Sequence, residues 1–174
     1  MYILIAVIAL VALPFIVALF VKKEYTLERS IVIDKPNQEV FNYLRHLKNQ
    51  DYYSKWIMVD PAMKKEFKGI DGKTGFVYAW DSENKNAGKG EQEIKEIVEG
   101  KKIEVEVRFE KPFEGVAIAP ILTEAISSDQ TEVRWGMSGK SKYPMNLANL
   151  FMNKMLGKDL EASLGTLKSV LEKN

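Results

Sequence analysis

The first 21 residues are the feature that most constrains how this chain folds. They contain no charged side chain and no Asn, Gln, Ser, Thr or Gly, and Lys22 and Lys23 follow directly. As a helix this run spans about 30 Å, the thickness of the hydrocarbon core of a bilayer. No later apolar run approaches this length. The pattern predicts a single transmembrane anchor at 1–21, a tether at 22–27 and one domain at 25–174.

Two other interpretations of the N-terminal segment stay open, a cleaved signal peptide and a buried N-terminal helix. A signal peptide has a basic start, a short apolar core and small residues at its cleavage site. This chain starts without a basic residue, and its apolar run ends in the bulky Leu19, Phe20 and Val21. Pro14 lies inside the run, where a membrane helix tolerates it. The uncleaved anchor is the favoured interpretation.

Basic residues beside the anchor predict its orientation. The C-terminal flank carries Lys22, Lys23, Arg29 and Lys35, whereas the N-terminal side carries only the α-amine. The positive-inside rule therefore places the domain in the cytoplasm. The chain has no Cys, which excludes disulfides but suits either compartment, so the extracytoplasmic side stays an alternative.

The charge pattern argues against nucleic acid as a partner. The formal net charge is only +1, and no basic stripe or RNA-binding aromatic motif is present. Lys and Glu alternate through residues 89–111, as they do on the solvated faces of strands. The soluble part is thus expected to be a globular domain with a mixed-charge surface.

Hydrophobic periodicity and turn signals predict an α+β domain. A first strand is expected at 25–33, and Pro36 ends it. Short helical segments are expected next, because Val40, Phe41 and Leu44 lie at helical spacing. A series of strands and one long helix at 146–173 come next. The expected strands cover residues 63–70, 75–81, 88–98, 101–109, 115–127 and 131–141.

Two patterns indicate how the sheet and the long helix pack. The strand at 101–109 alternates, with Ile103, Val105, Val107 and Phe109 on one face, so one face of the sheet is covered and the other is wet. Gly157 and Gly165 could let the helix approach the sheet closely. The apolar stripe of the helix consists of Phe151, Met152, Met155, Leu160, Leu164, Leu167 and Leu171.

The element order and several local motifs resemble the SRPBCC superfamily. This is the START-like, helix-grip group, and the likeness is to its polyketide cyclase/dehydrase and lipid-transport branch. The similarity covers about residues 25–173. The residues that carry it are Glu28 to Pro36 with Val40-Phe41, Trp56, the 75–80 strand, Gly88-Lys89-Gly90, Pro112-Phe113-Glu114-Gly115, Tyr143-Pro144-Met145-Asn146-Leu147, and the stretch from Leu160-Glu161 through Leu167-Lys168.

The resemblance implies a curved antiparallel sheet of about seven strands around a long C-terminal helix. Family members usually hold an apolar cavity between these two elements, where they bind lipids, polyketides or sterols. Some members are enzymes, and others bind or transfer their ligand. Bacterial members of this type often carry one N-terminal membrane helix, as expected for this chain.

Aromatic, Met and small residues are the expected lining of such a cavity. Tyr and Trp combine an apolar ring with one polar group, which suits an amphipathic ligand. The mouth is expected near Trp56, the 113–115 turn and Tyr143. The predicted ligand-binding residues are Trp56, Phe76, Tyr78, Trp80, Phe109, Ala117, Ala119, Trp135, Tyr143, Phe151, Met152 and Met155.

No constellation of catalytic or metal-binding residues is recognisable. The only His is His46, expected near the surface, and without Cys neither a thiol nucleophile nor a usual zinc site is available. No cofactor is therefore expected. A carboxylate inside the cavity could still act as an acid or base. The candidates are Asp60, Asp81, Glu91, Glu93 and Glu124.

Three functional hypotheses follow from the sequence. The first is a membrane-anchored module that binds, and could transfer, a small hydrophobic or amphipathic ligand such as a lipid. The second is an enzyme of the cyclase/dehydratase type that uses a carboxylate or Tyr in the cavity. The third is a regulatory or structural interaction domain with a closed core, whose protein partner the sequence does not identify.

Overall fold

The structure is a computed structural model that describes residues 2–173, with side chains described from Leu10 onward. Helix α1 comes first and helix α4 last, and a seven-stranded sheet lies between them. The helices are α1 (Tyr2–Phe20), α2 (Asn37–Arg45), α3 (Lys55–Met58) and α4 (Asn149–Glu172), with 3₁₀ helices at Leu47–Tyr52 and Met145–Ala148. The strands are β1 (Glu24–Ile33), β2 (Lys64–Lys68), β3 (Val77–Asp81), β4 (Lys89–Val98), β5 (Lys102–Lys111), β6 (Gly115–Ala125) and β7 (Thr131–Lys140).

The sheet is antiparallel throughout and has the order β1-β7-β6-β5-β4-β3-β2. Each strand from β2 to β7 pairs with its neighbour in the chain, and β1 adds to the far edge along β7. The predicted α+β fold, with about seven antiparallel strands and a long C-terminal helix, is confirmed. Strand β1 already starts at Glu24, so residues 24–27 of the expected tether belong to the sheet and only 21–23 link it to α1.

Strands β3 to β6 bury alternate residues along most of their length, whereas no residue of the edge strand β2 is buried. On β5, Ile103, Val105 and Val107 are buried, whereas Arg108 lies on the outer face. There the Arg108 guanidinium forms salt bridges with the carboxylates of Glu91, Glu93 and Glu106, whose side chains also point outward. The covered inner face and the charged outer face therefore match the alternation in the sequence.

Only the C-terminal part of α4 packs tightly into the domain. Leu160, Leu164, Leu167 and Leu171 are 0–5% exposed, whereas Phe151 and Met155 are 59% and 64% exposed. The prediction that Phe151 and Met155 belong to the buried apolar stripe of α4 is thus wrong. Their side chains remain exposed because the sheet does not cover the first turns of the helix. Met152 and Leu156 face inward at this end instead.

The end of α1 is fixed to the start of α4 by two asparagines. Asn146 is fully buried, and its side-chain amide donates to the backbone oxygens of Ala18 (2.6 Å) and Val21 (2.8 Å). Asn149 donates to the backbone oxygens of Lys22 and Lys23. The bond to Ala18 satisfies a carbonyl group of the last turn of α1, where carbonyls lack an intrahelical partner.

Within the described part of the chain, no helix is both long enough and apolar enough to cross a membrane. The predicted anchor at 1–21 lies partly outside the described residues, which exclude Met1 and the side chains of 2–9.

Gly157 and Gly165 provide a matched test of how closely α4 approaches the sheet. A Cβ on Gly157 would lie 2.1 Å from Nη2 of Arg29 on β1, whereas a Cβ on Gly165 meets nothing within 4 Å. We predict that Gly165→Ala raises the free energy of unfolding by about 0.5–1 kcal/mol, through helix propensity. Gly157→Ala should give no such gain or should lower the stability, because the Arg29 side chain would have to break its hydrogen bonds with Glu161 and Asn153.

Urea unfolding of the two variants and the parent protein measures the difference. Equal stabilisation by both substitutions would contradict the predicted close approach at Gly157.

Candidate functional site

A cavity of about 1630 Å³ lies between the inner face of the sheet and the N-terminal half of α4. Its wall is mainly apolar, and strands β3 to β7 and residues 50–57 contribute to it. Ligand pockets for drug-sized molecules usually measure roughly 300–1,000 Å³, so this cavity can hold a larger molecule. The expected cavity between the sheet and the C-terminal helix is present.

Seven of the twelve residues predicted from the sequence line this cavity, and their role as ligand contacts stays a prediction. Small Ala119 on β6 leaves space opposite the large side chains. The rings of Trp56 and Trp135 lie edge to face, with their centroids 6.0 Å apart. The seven residues are Trp56, Trp80, Phe109, Ala119, Trp135, Tyr143 and Met152.

The other five predicted residues lie elsewhere. Phe76 and Tyr78 are buried behind the cavity, where Phe67 of β2 covers them with ring centroids 6.2 and 5.1 Å away. Ala117 is buried in the core without lining the cavity. Phe151 and Met155 face away from it and are exposed. Aromatic type and strand alternation do not distinguish a wall residue from a core residue, which explains these differences.

Three buried polar residues of the cavity wall were not predicted. Gln50, Ser54 and Gln92 are 4%, 1% and 6% exposed, and all three line the cavity. Gln92 lies between buried Gly90 and Ile94 on β4. A polar residue at an inward position of an alternating strand was therefore a usable signal in the sequence. Gln50 and Ser54 lie in and after a 3₁₀ helix, where no such period exists.

The rim of the cavity is apolar and exposed. Phe113 and Val116 border it from the β5–β6 turn, and Tyr143 and Met145 border it from the segment before α4. Their side chains are 45–66% exposed. The predicted mouth near residues 113–115 and Tyr143 agrees with this geometry, whereas Trp56 packs against Trp135 instead.

The carboxylates considered as acid or base groups do not line the cavity. Glu91 and Glu93 bind Arg108 on the outer face. Burial alone would raise the pKa of Glu93, but hydrogen bonds from Arg108 and Lys95 outweigh it and lower that pKa. Asp60 accepts a hydrogen bond from Ser82 at 2.5 Å. Asp81 and Glu124 are exposed.

The single histidine, His46, lies beside a carboxylate away from the cavity wall. Nδ1 of His46 lies 3.6 Å from a carboxylate oxygen of Asp71, and the side chain is 47% exposed. In the portion of the chain that the structure describes, no three His, Cys, Asp or Glu residues form a group that could hold a metal ion.

Two buried tyrosines lie beside the cavity wall. The Tyr78 hydroxyl donates to Oδ1 of Asp51 at 2.7 Å, and Lys65 binds the other oxygen of that carboxylate at 2.8 Å. Burial, followed by the bond to Asp51, raises the pKa of Tyr78. Burial likewise raises the pKa of Tyr53, whose hydroxyl has no hydrogen-bond partner among the residues that the structure describes.

Comparison with known proteins identifies the fold. No protein-family model matches this sequence, and no curated protein matches it. Norcoclaurine synthase from Thalictrum flavum, solved with dopamine and hydroxybenzaldehyde, has a TM-score of 0.67 at 8% identity, covering 91% of this chain and 92% of the synthase. Ara h 8.0201 has a TM-score of 0.58 at 15% identity, covering 87% and 99%.

Protein CV1439 from Chromobacterium violaceum has a TM-score of 0.60 at 14% identity, covering 84% of this chain and 96% of that protein. At these low identities the likeness shows a shared fold. It confirms the helix-grip fold that the resemblance to the SRPBCC superfamily implied.

The buried tyrosines predict a loss of stability at alkaline pH. Their pKa values are raised above the ordinary value of 10.0, so both stay protonated in the folded protein while the unfolded chain ionises. The unfolded state then binds fewer protons, and the free energy of unfolding falls above about pH 10 by up to ~1.4 kcal/mol per pH unit for each tyrosine.

Urea unfolding at pH 8 and pH 10.5 measures this slope. Tyr78→Phe should flatten it, and exposed Tyr52→Phe serves as the control that leaves it unchanged. An identical slope in the parent and in Tyr78→Phe would refute the assignment.

Proposed function

We propose that this protein binds a small hydrophobic or amphipathic molecule, such as a lipid, in the cavity between the sheet and α4. The observation that carries the proposal is the cavity itself, which measures about 1630 Å³ and has a mainly apolar wall. Burial of apolar ligand surface stabilises a complex by roughly 25 cal/mol per Å² before the costs of association. An aromatic wall and an exposed apolar rim suit such a ligand.

The fold neighbours support the proposal by analogy. Norcoclaurine synthase was solved with dopamine and hydroxybenzaldehyde, two aromatic small molecules. A fold of this kind can therefore enclose an organic ligand, although folds do not dictate ligands.

Binding is favoured over the two other hypotheses by the contents of the cavity wall. A cyclase/dehydratase would need an acid or base in contact with its substrate. Glu91, Glu93, Asp60 and Tyr78 all have other partners outside the cavity. An interaction domain with a closed core would not need so large an internal space.

The N-terminal segment supports a second part of the proposal, which is that residues 1–21 anchor the domain to a membrane. The supporting observation is the uncharged sequence of this segment together with the basic residues that follow it. The same basic flank favours a cytoplasmic domain.

A cavity-filling variant tests ligand binding. Ala119 is buried in the cavity wall on β6, whereas Ala125 is exposed at the end of the same strand and side-chain row. We predict that the parent and Ala125→Phe carry an added mass that disappears on denaturation. Ala119→Phe should lose this mass, because its ring occupies the space of the ligand. Native mass spectrometry of the full chain, purified gently from its host, makes the measurement.

A neutral fluorescent probe, N-phenyl-1-naphthylamine, gives a second readout for the same variants. Its affinity should fall at least about tenfold in Ala119→Phe and stay unchanged in Ala125→Phe. A bare mass in the parent, together with no probe binding, would refute the proposal.

Charge substitutions test the anchor. Leu10→Asp with Leu13→Asp adds about 2.5–3.5 kcal/mol per residue to the cost of membrane insertion, and Leu10→Met with Leu13→Met is the control. We predict that the control stays in the membrane fraction after alkaline carbonate extraction and that the aspartate variant is released.

In intact spheroplasts, an added protease should leave a cytoplasmic domain uncut. Release of the parent protein by carbonate would contradict the anchor, and cleavage would contradict the orientation.

A further inference from the structure

The register of the strands places the mouth of the cavity at the end of the sheet where α1 joins it. Glu24, the first residue of β1, pairs with Lys140 at the end of β7. Next to this pair, Gly139 pairs with Ala117 near the start of β6. The β5–β6 turn, which carries the rim residue Phe113, therefore lies at the same end of the sheet as the link to α1.

The rim is apolar and exposed on both sides of the mouth. Phe113 and Val116 form its side on the β5–β6 turn, and Tyr143 and Met145 form its side on the segment before α4. Exposed Leu150, in the first turn of α4, continues this surface toward the end of α1. Exposed apolar side chains that lie together on a protein surface indicate contact with a partner or a membrane.

Helix α1 is a second exposed apolar surface beside the rim. Its side chains that the structure describes, those of residues 10–20, are all apolar, and among them only Ala18 is buried. A helix that is apolar on every side is stable where protein or lipid covers it. The sides of α1 that the domain leaves open therefore favour lipid as their cover.

Hydrogen bonds fix the depth of the rim relative to α1. The Tyr143 hydroxyl donates to the backbone oxygen of Phe15 at 3.3 Å, five residues before the helix ends at Phe20. At 1.5 Å per residue, Phe15 lies about 7.5 Å along the axis from that end. The interfacial layer on each side of a bilayer is roughly 5–8 Å thick. With Lys22 and Lys23 among the headgroups, Tyr143 therefore lies at the boundary between headgroups and hydrocarbon.

The charges around the mouth suit a membrane surface with anionic lipids. Lysines outnumber glutamates among the exposed charged residues that line the cavity in the described part of the chain. Lysine stems can lie along apolar surface while their ammonium groups reach the headgroups, where they attract anionic lipids. These residues are Lys23, Lys85, Lys111, Lys140, Lys142, Glu110 and Glu114.

We propose that the rim inserts into the headgroup–acyl boundary of the membrane that α1 spans, so that the mouth of the cavity opens onto the lipid chains. The inference rests on the proposed anchor and the proposed ligand cavity, and it adds the surface through which the ligand enters. A ligand dissolved in that leaflet reaches the cavity without crossing water. The ligand class is therefore a molecule that partitions into a bilayer.

The depth of single fluorescent probes tests the insertion in the full chain. The sequence contains no Cys, so Phe113→Cys, Met145→Cys, Leu10→Cys and Ile70→Cys each provide one thiol for an NBD label. Leu10 lies near the middle of α1. Exposed Ile70 lies in the β2–β3 turn, at the opposite end of the strands from the rim.

The labelled proteins are reconstituted into vesicles of phosphatidylcholine and phosphatidylserine. Part of the phosphatidylcholine carries a spin label, either near the headgroup end or near the tail end of its acyl chain. We expect the two rim probes to lie roughly 5–10 Å into the headgroup–acyl boundary, where the shallow label quenches them more strongly than the deep label. The Leu10 probe should show the reverse order, and neither label should quench the Ile70 probe. Because the spin-labelled lipid occupies both leaflets, this pattern does not depend on the orientation of the protein.

Photocrosslinking in membranes of the host provides an independent readout. Phe113→p-benzoylphenylalanine forms a covalent bond with nearby C–H groups under ultraviolet light, so we expect a product whose added mass is that of a membrane lipid. The same replacement at Ile70 should give no lipid product. No lipid product at Phe113, or an equal yield at the two positions, would contradict the insertion.

The outcomes separate this inference from the proposed anchor. Quenching of the Leu10 probe without quenching of the two rim probes would refute the insertion of the rim while the anchor stands. Quenching of none of these three probes would refute both. Quenching of the rim probes without the Leu10 probe would support the contact of the rim with lipid and refute the anchor.

Discussion

The incomplete packing of α4 on the sheet is the constraint on which the rest of the structure depends. Burial of Leu160, Leu164, Leu167 and Leu171 holds the C-terminal part of the helix in the core. At Gly157 the guanidinium of Arg29 from β1 lies where a side chain would otherwise project from α4. Before this point none of the α4 residues is fully buried. The space that remains between helix and sheet is the cavity.

The cavity and the N-terminal helix meet at one junction. Tyr143 lines the cavity and also donates from its hydroxyl to the backbone oxygen of Phe15 in α1 at 3.3 Å. Asn146, three residues later, caps the end of the same helix. The rim of the cavity therefore stands beside the C-terminal end of α1. The cavity rim and the end of α1 are therefore both formed in part by the same short segment before α4.

Much of the fold could be predicted because hydrophobic alternation and turn residues are local signals. The seven strands and the long helix were found with boundaries that differ by a few residues. The candidate site was harder to predict. Phe76 and Trp80 lie four residues apart and are both buried aromatic residues, yet only Trp80 lines the cavity. Phe67 of β2 stacks on Phe76 with the ring centroids 6.2 Å apart, and the residue types alone do not reveal this contact between two strands.

The sequence by itself determined the element order and the inward face of β5, and it contains no Cys and a single His. These properties follow from residue type and spacing along the chain. Only the tertiary structure decided that α4 leaves a cavity, that Gln50 meets Gln92, and that the indole N–H of Trp80 finds a partner while that of Trp135 finds none within the described residues. Such pairings join residues from distant segments, and their distances exist only once the sheet has curved around the helix.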